Sequence, residues 1–330
     1  MTADVTIAIP VWNRVDLLRK LLDTISQQTL KPTAVIVVDD CSTEAVAETA
    51  RKWGARVIVN AHRIGFAASV NRAVEQANSR WVALVNSDVE LHPEWLYHLR
   101  AGAESSSAWF AAGPVRMASD RERLDGAWDL VARSGCGWRA GHGALAEASY
   151  SRSRRITLAS ATATLYRREL FDRIGGFCEL YESYLEDVDL SLRAAAHAYQ
   201  GVYIPHAICW HWGSASTSQW SGYSTRQIAR NQALLVRRLY PAELQREWHW
   251  EIIAGQYLWG LLAFRKGQFR AWLSGHRAGR REEMVATSHL PMTELRQIIT
   301  DSEHELRELT RDSPGWYWRL YFMFTRGGSE

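Results

Sequence analysis

A chain of 330 residues has room for one large domain or two ordinary ones, and 47% hydrophobic with 23% charged residues describes a globular protein with a sizeable core. A formal net charge of +3 is too small to argue for nucleic acid as the partner. Cys41, Cys136, Cys178 and Cys209 lie far apart with no C-x-x-C spacing, so neither a zinc site nor a disulfide framework is indicated, and a reducing cytosol fits.

Asp4 precedes the first apolar run, Val5–Val11, which lacks the basic flank and the length of a secretory leader. The longest apolar stretch, 252–264, is interrupted by Gln256 and is shorter than a bilayer span. Both features point to a cytoplasmic chain without a transmembrane helix. Val5-Thr6-Ile7-Ala8-Ile9 is β-branched and apolar, ends at Pro10, and precedes Leu17, Leu18, Leu21, Leu22 and Ile25 at helical spacing. That is a strand, a loop and a helix. The signals repeat as strand 34–38, acidic turn Asp39-Asp40, helix 43–53, strand Arg56–Val59, helix 66–77 and strand Trp81–Val85. Such alternation predicts an α/β fold, a mostly parallel Rossmann-like sheet with helices on both faces.

In sheets of this kind ligands bind beyond the carboxyl ends of the strands, and the polar residues fall there: Asn13 and Arg14, Asp39 and Asp40, then Asn86-Ser87-Asp88. Each cluster alone reads equally well as a turn or a helix cap. Together they describe a ligand. A carboxylate accepts the imide N–H of a pyrimidine base, which suits Asp39 or Asp40, and Asp88 suits a divalent cation through hard oxygen ligands. Gly65 allows close backbone approach at a helix start, and Arg63 stands near enough to meet a base or phosphate. No G-x-G-x-x-G or G-K-[ST] motif is present, which argues against the dinucleotide and NTPase uses of a similar fold.

A strand is expected at 110–115, followed by loops over the site: 134–143, rich in Gly with Arg139 and His142, and the basic, polar 149–155. Residues 156–166 resume as a strand of small side chains. Glu186-Asp187-Val188-Asp189 then opens a helix in which Leu185, Val188, Leu192, Ala195, Ala196 and Tyr199 recur at helical spacing. Acids in a first helical turn meet unpaired amides and the positive end of the dipole, which holds Asp187 ionised and able to take a proton. They also stabilise a helix with no further role. His211 ends a strand among tryptophans and opens onto Gly213 and serines, where an imidazole is either packed in the core or completes a metal site begun by a carboxylate.

From 225 the chain reads as helices: 225–240, 243–264 and 268–284, then an amphipathic helix carrying Met292, Leu295, Ile299, Ser302, Leu306 and Leu309, suited to a homodimer or to its own domain. Arg265, Lys266, Arg270, Arg277, Arg280 and Arg281 come without an acid among them, as a solvated basic face or one for an anionic membrane surface. The aromatic tail 316–324 is too apolar to leave solvated, and membrane, partner and own-domain packing all satisfy it.

With these residues in view, the chain resembles the family 2 inverting glycosyltransferases of the GT-A type, nearest to bacterial rhamnosyltransferase-like members that build surface polysaccharides. The likeness runs from residue 5 to about 240. Ile9-Pro10-Val11-Trp12-Asn13-Arg14 is similar to the family's opening motif, with Trp where Tyr is usual, and Val38-Asp39-Asp40-Cys41-Ser42 to its base-binding turn. Asn86-Ser87-Asp88 resembles the D-x-D metal motif with Asn in first place. Arg167-Arg168-Glu169, Gly175-Gly176-Phe177 and Glu186-Asp187-Val188-Asp189-Leu190-Ser191-Leu192-Arg193 resemble the acceptor-side segment, and His211 its late metal ligand. Cys178 stands where Asp is usual, and His62-Arg63-Ile64-Gly65 replaces an Asn-rich approach to the glycine.

The resemblance implies a GT-A-type domain over 1–224, with a nucleotide-sugar half to about 115 and an acceptor half after it, and a helical region over 225–330. It implies a nucleoside-diphosphate sugar held by Pro10, Trp12, Asn13, Arg14, Asp39, Asp40, Arg63, Gly65, Asn86 and Ser87. Mn2+ or Mg2+ sits on Asp88 and His211, Asp187 is the base with Glu186 beside it, and the acceptor is a glycan or lipid-linked glycan met at the inner face of the membrane. Two rival readings differ in class: a sugar nucleotidyltransferase, which needs a Gly- and Arg/Lys-rich triphosphate loop that 10–14 does not supply, and a non-catalytic glycan-binding protein, suggested by 16 tryptophans.

Overall fold

Every residue of β1 (Val5–Val11) is buried, as expected of a strand covered on both faces. In the computed structural model, which describes residues 3–146, 150–213, 220–283, 290–311 and 315–325, the chain divides into two compact units. The first is Met1–Trp128 with Gly141–Ser216, and the second is Asp129–Ala140 with Thr217–Glu330.

The first unit alternates as the sequence reading expects: β1, α1 (Val15–Ser26), β2 (Ala34–Asp39), α2 (Val46–Lys52), β3 (Arg56–Val59), α3 (Phe66–Glu75) and β4 (Trp81–Val85). It continues with β5 (Val89–Leu91), α4 (Trp95–Ser105), β6 (Phe110–Ala112), β7 (Val115–Met117) and β8 (Leu124–Gly126). The second unit begins with β9 (Asp129–Val131) and β10 (Gly137–Arg139), which pair antiparallel. Back in the first come β11 (Arg154–Ile156), β12 (Ala163–Arg167), α5 (Arg168–Ile174), α6 (Glu186–Ala196), β13 (Gly201–Tyr203) and β14 (Cys209–His211).

An eight-stranded sheet runs in the order β11-β13-β6-β12-β4-β1-β2-β3. β1 is parallel to both β2 and β4, so the polar residues that follow these strands share one edge. β12 runs antiparallel to β4 with Ala163 opposite Val85, which brings the loop before β12 to that edge as well. The alternate residues Val5, Ile7, Ile9 and Val11 join Leu18, Leu21, Leu22 and Ile25 of α1 and Trp95, Leu96 and Leu99 of α4 in one buried cluster. A four-stranded sheet, β5-β14-β7-β8, stands beside it. The strand expected at 110–115 is two strands in different sheets, because Gly113-Pro114 breaks it. A Cβ at Gly113 would sit 1.9 Å from the Ala207 carbonyl oxygen, and the Pro114 carbonyl accepts from the Cys209 amide at 3.2 Å. The strand expected at 156–166 is likewise β11, a loop and β12.

The second unit adds α7 (Gly222–Leu239), α8 (Ala242–Glu247), α9 (His249–Arg265), α10 (Phe269–Arg281), α11 (Met292–Thr310) and α12 (Trp316–Phe324). The single helix expected over 243–264 is interrupted at Trp248. The loop between β9 and β10 is held by buried charge: the Arg133 guanidinium lies 2.9 Å from Glu251 and 2.6 Å from Glu303. The Arg133 amide also donates to Glu303, as does the Tyr321 hydroxyl, each at 2.7 Å. Burial opposes the Arg133 charge, but the hydrogen bond to Glu303 and the two carboxylates outweigh it and raise its pKa. Leu295, Ile299, Ser302 and Leu306 of α11 are buried within this unit, as are Tyr317, Trp318, Tyr321 and Phe322 of α12, so most of the aromatic tail packs on its own unit. Among the described residues no helix is long and apolar enough to cross a membrane.

Candidate active site

Beyond β1, Asn13 and Arg14 both take the left-handed conformation, at φ 57°, and turn the chain into α1. Asn13 is used by the protein itself: its side-chain oxygen accepts from the Thr43 amide at 2.9 Å, and its own amide donates to the Ser42 hydroxyl at 2.8 Å. Arg14 pairs with Asp16 at 3.1 Å, and the hydrogen bond to Asp16 leads the causes that raise its pKa, with the Asp88 charge contributing. Pro10 is buried inside β1, opposite Val38. The Arg63 guanidinium lies 3.8 Å from the centre of the Trp12 ring, a cation–π contact at the edge where β1 and β2 end.

The two aspartates at the end of β2 part company. Asp40 accepts from the Ile64 amide at 2.8 Å, the Asn60 side chain at 2.9 Å and the Gly65 amide at 2.9 Å. Both of its oxygens are therefore engaged in shaping the loop 60–65. Asp39 makes a single local bond, accepting from the Ser42 amide at 2.9 Å. Gly65 is required where it stands: its φ is +89°, and a Cβ would meet the Glu182 carbonyl oxygen at 3.1 Å.

The turn after β4 meets the opposite half of the unit through two short links. The Asn86 amide donates to the Thr162 carbonyl at 2.9 Å, and the neighbouring Ala161 amide donates to Asp187 Oδ2 at 3.2 Å. Asn86, Ser87, Asp88 and Asp187 thus lie together at the carboxyl edge of the sheet. Asp187 is half-buried in the first turn of α6 and Glu186, the residue before it, is buried. Asp189 belongs to the scaffold: it receives Arg193 Nε at 2.6 Å and the Tyr181 hydroxyl at 3.2 Å, while Arg193 donates to the Ile174 and Gly176 carbonyls. The two aspartates of this motif differ because one turns outward and the other is bonded inside.

Pairing of β14 with β5 sets His211 opposite Val89, next to Asp88. His211 Nε2 lies 3.3 Å from Asp88 Oδ1, and Nδ1–H donates to Asp125 Oδ2 at 2.8 Å. Burial alone would lower the imidazole pKa, but the hydrogen bonds to Asp125 and Asp88 prevail and raise it from 6.5 to about 9. Asp125 escapes sequence reasoning, since it sits in a three-residue strand with no periodicity to mark it. His142 joins the same corner, its Nδ1 at 2.9 Å from the Asp125 carbonyl. Of the other expected loop residues, 147–149 lie outside the described residues, as do the serines at 214 and 216, and Arg139 belongs to the second unit.

Among the described residues no three His, Cys, Asp or Glu side chains surround one point suited to a metal ion. The donor set nevertheless fits a cation shared with a ligand. Neighbouring donors on an octahedral Mg2+-sized ion stand roughly 3 Å apart, and such ions are bound through one or two side chains plus phosphate oxygens and water. Asp88 and His211 meet that spacing at 3.3 Å, and Asp125 holds the imidazole from behind, as an outer carboxylate does for a metal-bound histidine. Asn86 Oδ1 is buried nearby with no hydrogen-bond partner among the described residues, an acceptor that a ligand hydroxyl or water would satisfy.

The family model described as "Glycosyl transferase family 2" matches residues 6–175, which span β1 to the end of α5. This chain belongs to glycosyl transferase family 2. The match places the chain in a family of glycosyltransferases, which is the class the sequence resemblance named. A relative from Mycobacterium tuberculosis, named N-acetylglucosaminyl-diphospho-decaprenol L-rhamnosyltransferase, is 26% identical over 61% of this chain and 74% of its own length. The chain spans only 25% of the length of another curated relative, from Sinorhizobium fredii, at 32% identity. Among solved structures, GalNAc-T7 with UDP, GalNAc and Mn2+ aligns with a TM-score of 0.63 at 12% identity, over 94% of this chain and 58% of that one. The mannosyltransferase PcManGT from Pyrobaculum calidifontis, with GDP-Man and Mn2+, gives 0.54 at 16% identity over 99% and 88%. Both likenesses show the GT-A fold.

Proposed function

We propose that this chain is an inverting transferase that moves a sugar from a nucleoside-diphosphate donor, dTDP-rhamnose-like or UDP-linked, to a hydroxyl of a saccharide or lipid-linked glycan, in the making of a surface polysaccharide. The observation that carries it is the junction at Thr162 and Ala161, which sets the half-buried Asp187 beside the Asn86–Asp88 turn. The rhamnosyltransferase name of the mycobacterial relative supports the donor and the lipid-linked acceptor.

The nucleotide lies along the ends of β1 and β2, flanked by Trp12 and Arg63. Asp39 faces the base, since Asp40 has both oxygens bonded to its own chain. The diphosphate points toward Asp88 and His211, with the positive Arg14 close by. Asp88 and His211 would hold a divalent cation, Mn2+ or Mg2+, which would offset the negative charge developing on the diphosphate. Asp187 accepts the acceptor hydroxyl's proton as that oxygen bonds to the anomeric carbon. The bond from that carbon to the diphosphate oxygen breaks, and its electron pair leaves with the nucleotide. Attack from the opposite face inverts the centre. Glu186 is buried, so Asp187 is the carboxylate an acceptor reaches.

The test begins with calorimetric titration of UDP, dTDP and GDP, with and without Mn2+, to fix the donor class. Transfer is then measured in the wild type and in Asp187→Asn. Loss of a positioned base lowers the rate about 10²–10⁴-fold, with donor affinity retained. Transfer at the wild-type rate in that variant refutes the assignment.

A further inference from the structure

Helix α9 is built inside out. Its inward face carries Glu251, Gly255, Gln256, Gly260 and Ala263, all buried. Its outward face carries Trp250, Tyr257, Leu261 and Phe264, exposed to 72%, 52%, 46% and 60%. These four recur at helical spacing and form one stripe along the length of the helix. A surface helix of a soluble protein puts its large apolar side chains on the opposite face.

The stripe continues across the turn into α10. The Phe264 and Phe269 rings meet edge-on at 5.9 Å between centroids, and Phe269, itself 41% exposed, stacks on Trp272 at 5.4 Å. Gly260 permits the close fit behind it, since a Cβ there would come 2.5 Å from the Trp272 ring. Beside this ridge the outer face of α10 is cationic. Arg270, Arg277, Arg280 and Arg281 are exposed, with Arg265 and Lys266 at the turn, and among the described residues none of them is paired with a carboxylate.

We infer that the α9–α10 hairpin docks this chain on an anionic lipid surface, the stripe entering the headgroup boundary and the arginines meeting lipid phosphates. Aromatic side chains with an apolar body and a polar edge settle at that depth, and a basic flank adds attraction to anionic lipid. A second copy of the chain fits worse. Twofold pairing sets a patch against itself, and here that brings together two arrays of cations that have no carboxylate partner among the described residues. The inference does not rest on the catalytic assignment, because lipid binding and sugar transfer are measured separately.

The full chain is mixed with vesicles of equal parts phosphatidylglycerol and phosphatidylcholine, or of phosphatidylcholine alone, and sedimented. Binding to the anionic vesicles only is expected, weakening as salt rises. Arg270→Glu/Arg277→Glu should lower vesicle affinity about fivefold or more for each charge removed. Trp250→Ser/Phe264→Ser should lower it at least as far while leaving nucleotide binding and the thermal melt as in the wild type, since both side chains lie on the surface. Failure of the wild type to bind anionic vesicles overturns the inference. So does equal binding to both vesicle types, or a concentration-dependent dimer that Trp250→Ser/Phe264→Ser abolishes.

Discussion

Asp125 touches no substrate in this scheme, yet it decides how His211 presents itself. The 2.8 Å bond to Nδ1 fixes one proton on that nitrogen and turns Nε2 toward Asp88, where a cation would have to displace the second proton of the imidazolium. Asp125→Asn preserves a carbonyl oxygen that accepts the same bond but removes the charge. Asp125→Ala removes both and frees the ring. Loss of an outer carboxylate of this kind costs about 10–100-fold in metal affinity, or roughly 1.4–2.7 kcal/mol. The alanine variant should lie at the weak end of that range and the asparagine between it and the wild type. Mn2+ titration followed by electron paramagnetic resonance, with UDP present and no acceptor, reads this without reference to turnover. A purely packing role for Asp125 predicts a lower melting temperature and an unchanged Mn2+ affinity, and that outcome would sink the reasoning.

Arg133→Met strands Glu251 and Glu303 as buried carboxylates without their cation, and should cost about 3–5 kcal/mol in guanidinium unfolding. Replacing both glutamates by Gln in the same variant should recover part of the loss. Asp40→Ala leaves the Ile64 and Gly65 amides unsatisfied, which should lower stability by about 1–3 kcal/mol and weaken donor binding with it. Cys136 is buried and burial pushes its thiol up to about 11, whereas Cys41 is exposed, so mass spectrometry after brief alkylation near neutral pH should find Cys41 modified and Cys136 intact.

The first unit was largely legible in advance because its strands and helices carry their own periods. Leu17, Leu18, Leu21, Leu22 and Ile25 announce a helix with one buried face, and those are the residues α1 buries. The parts that escaped depend on partners distant in sequence. Phe110 and Val115 belong to different sheets because a glycine must pass the Ala207 carbonyl, which nothing local reveals. Asp125 acquires meaning only when β8 and β14 bring it to His211, 86 positions away. Asp39 and Asp40 look alike as a pair, and the loop that claims Asp40 lies 20 to 25 residues further on. The charges of the second unit hid likewise: Arg133 and Glu303 are 170 residues apart.

One contact ties the two ends of the site together in time as well as in space. The Gly65 amide is held by Asp40, and two residues on, the Ala67 amide donates to the Glu182 carbonyl at 3.1 Å, just ahead of the turn that delivers Glu186 and Asp187. If the nucleotide is seated on this loop, as proposed, it is one hydrogen bond away from the stem that carries Asp187. Initial-rate patterns should accordingly be those of compulsory order, nucleotide sugar first and spent nucleotide last.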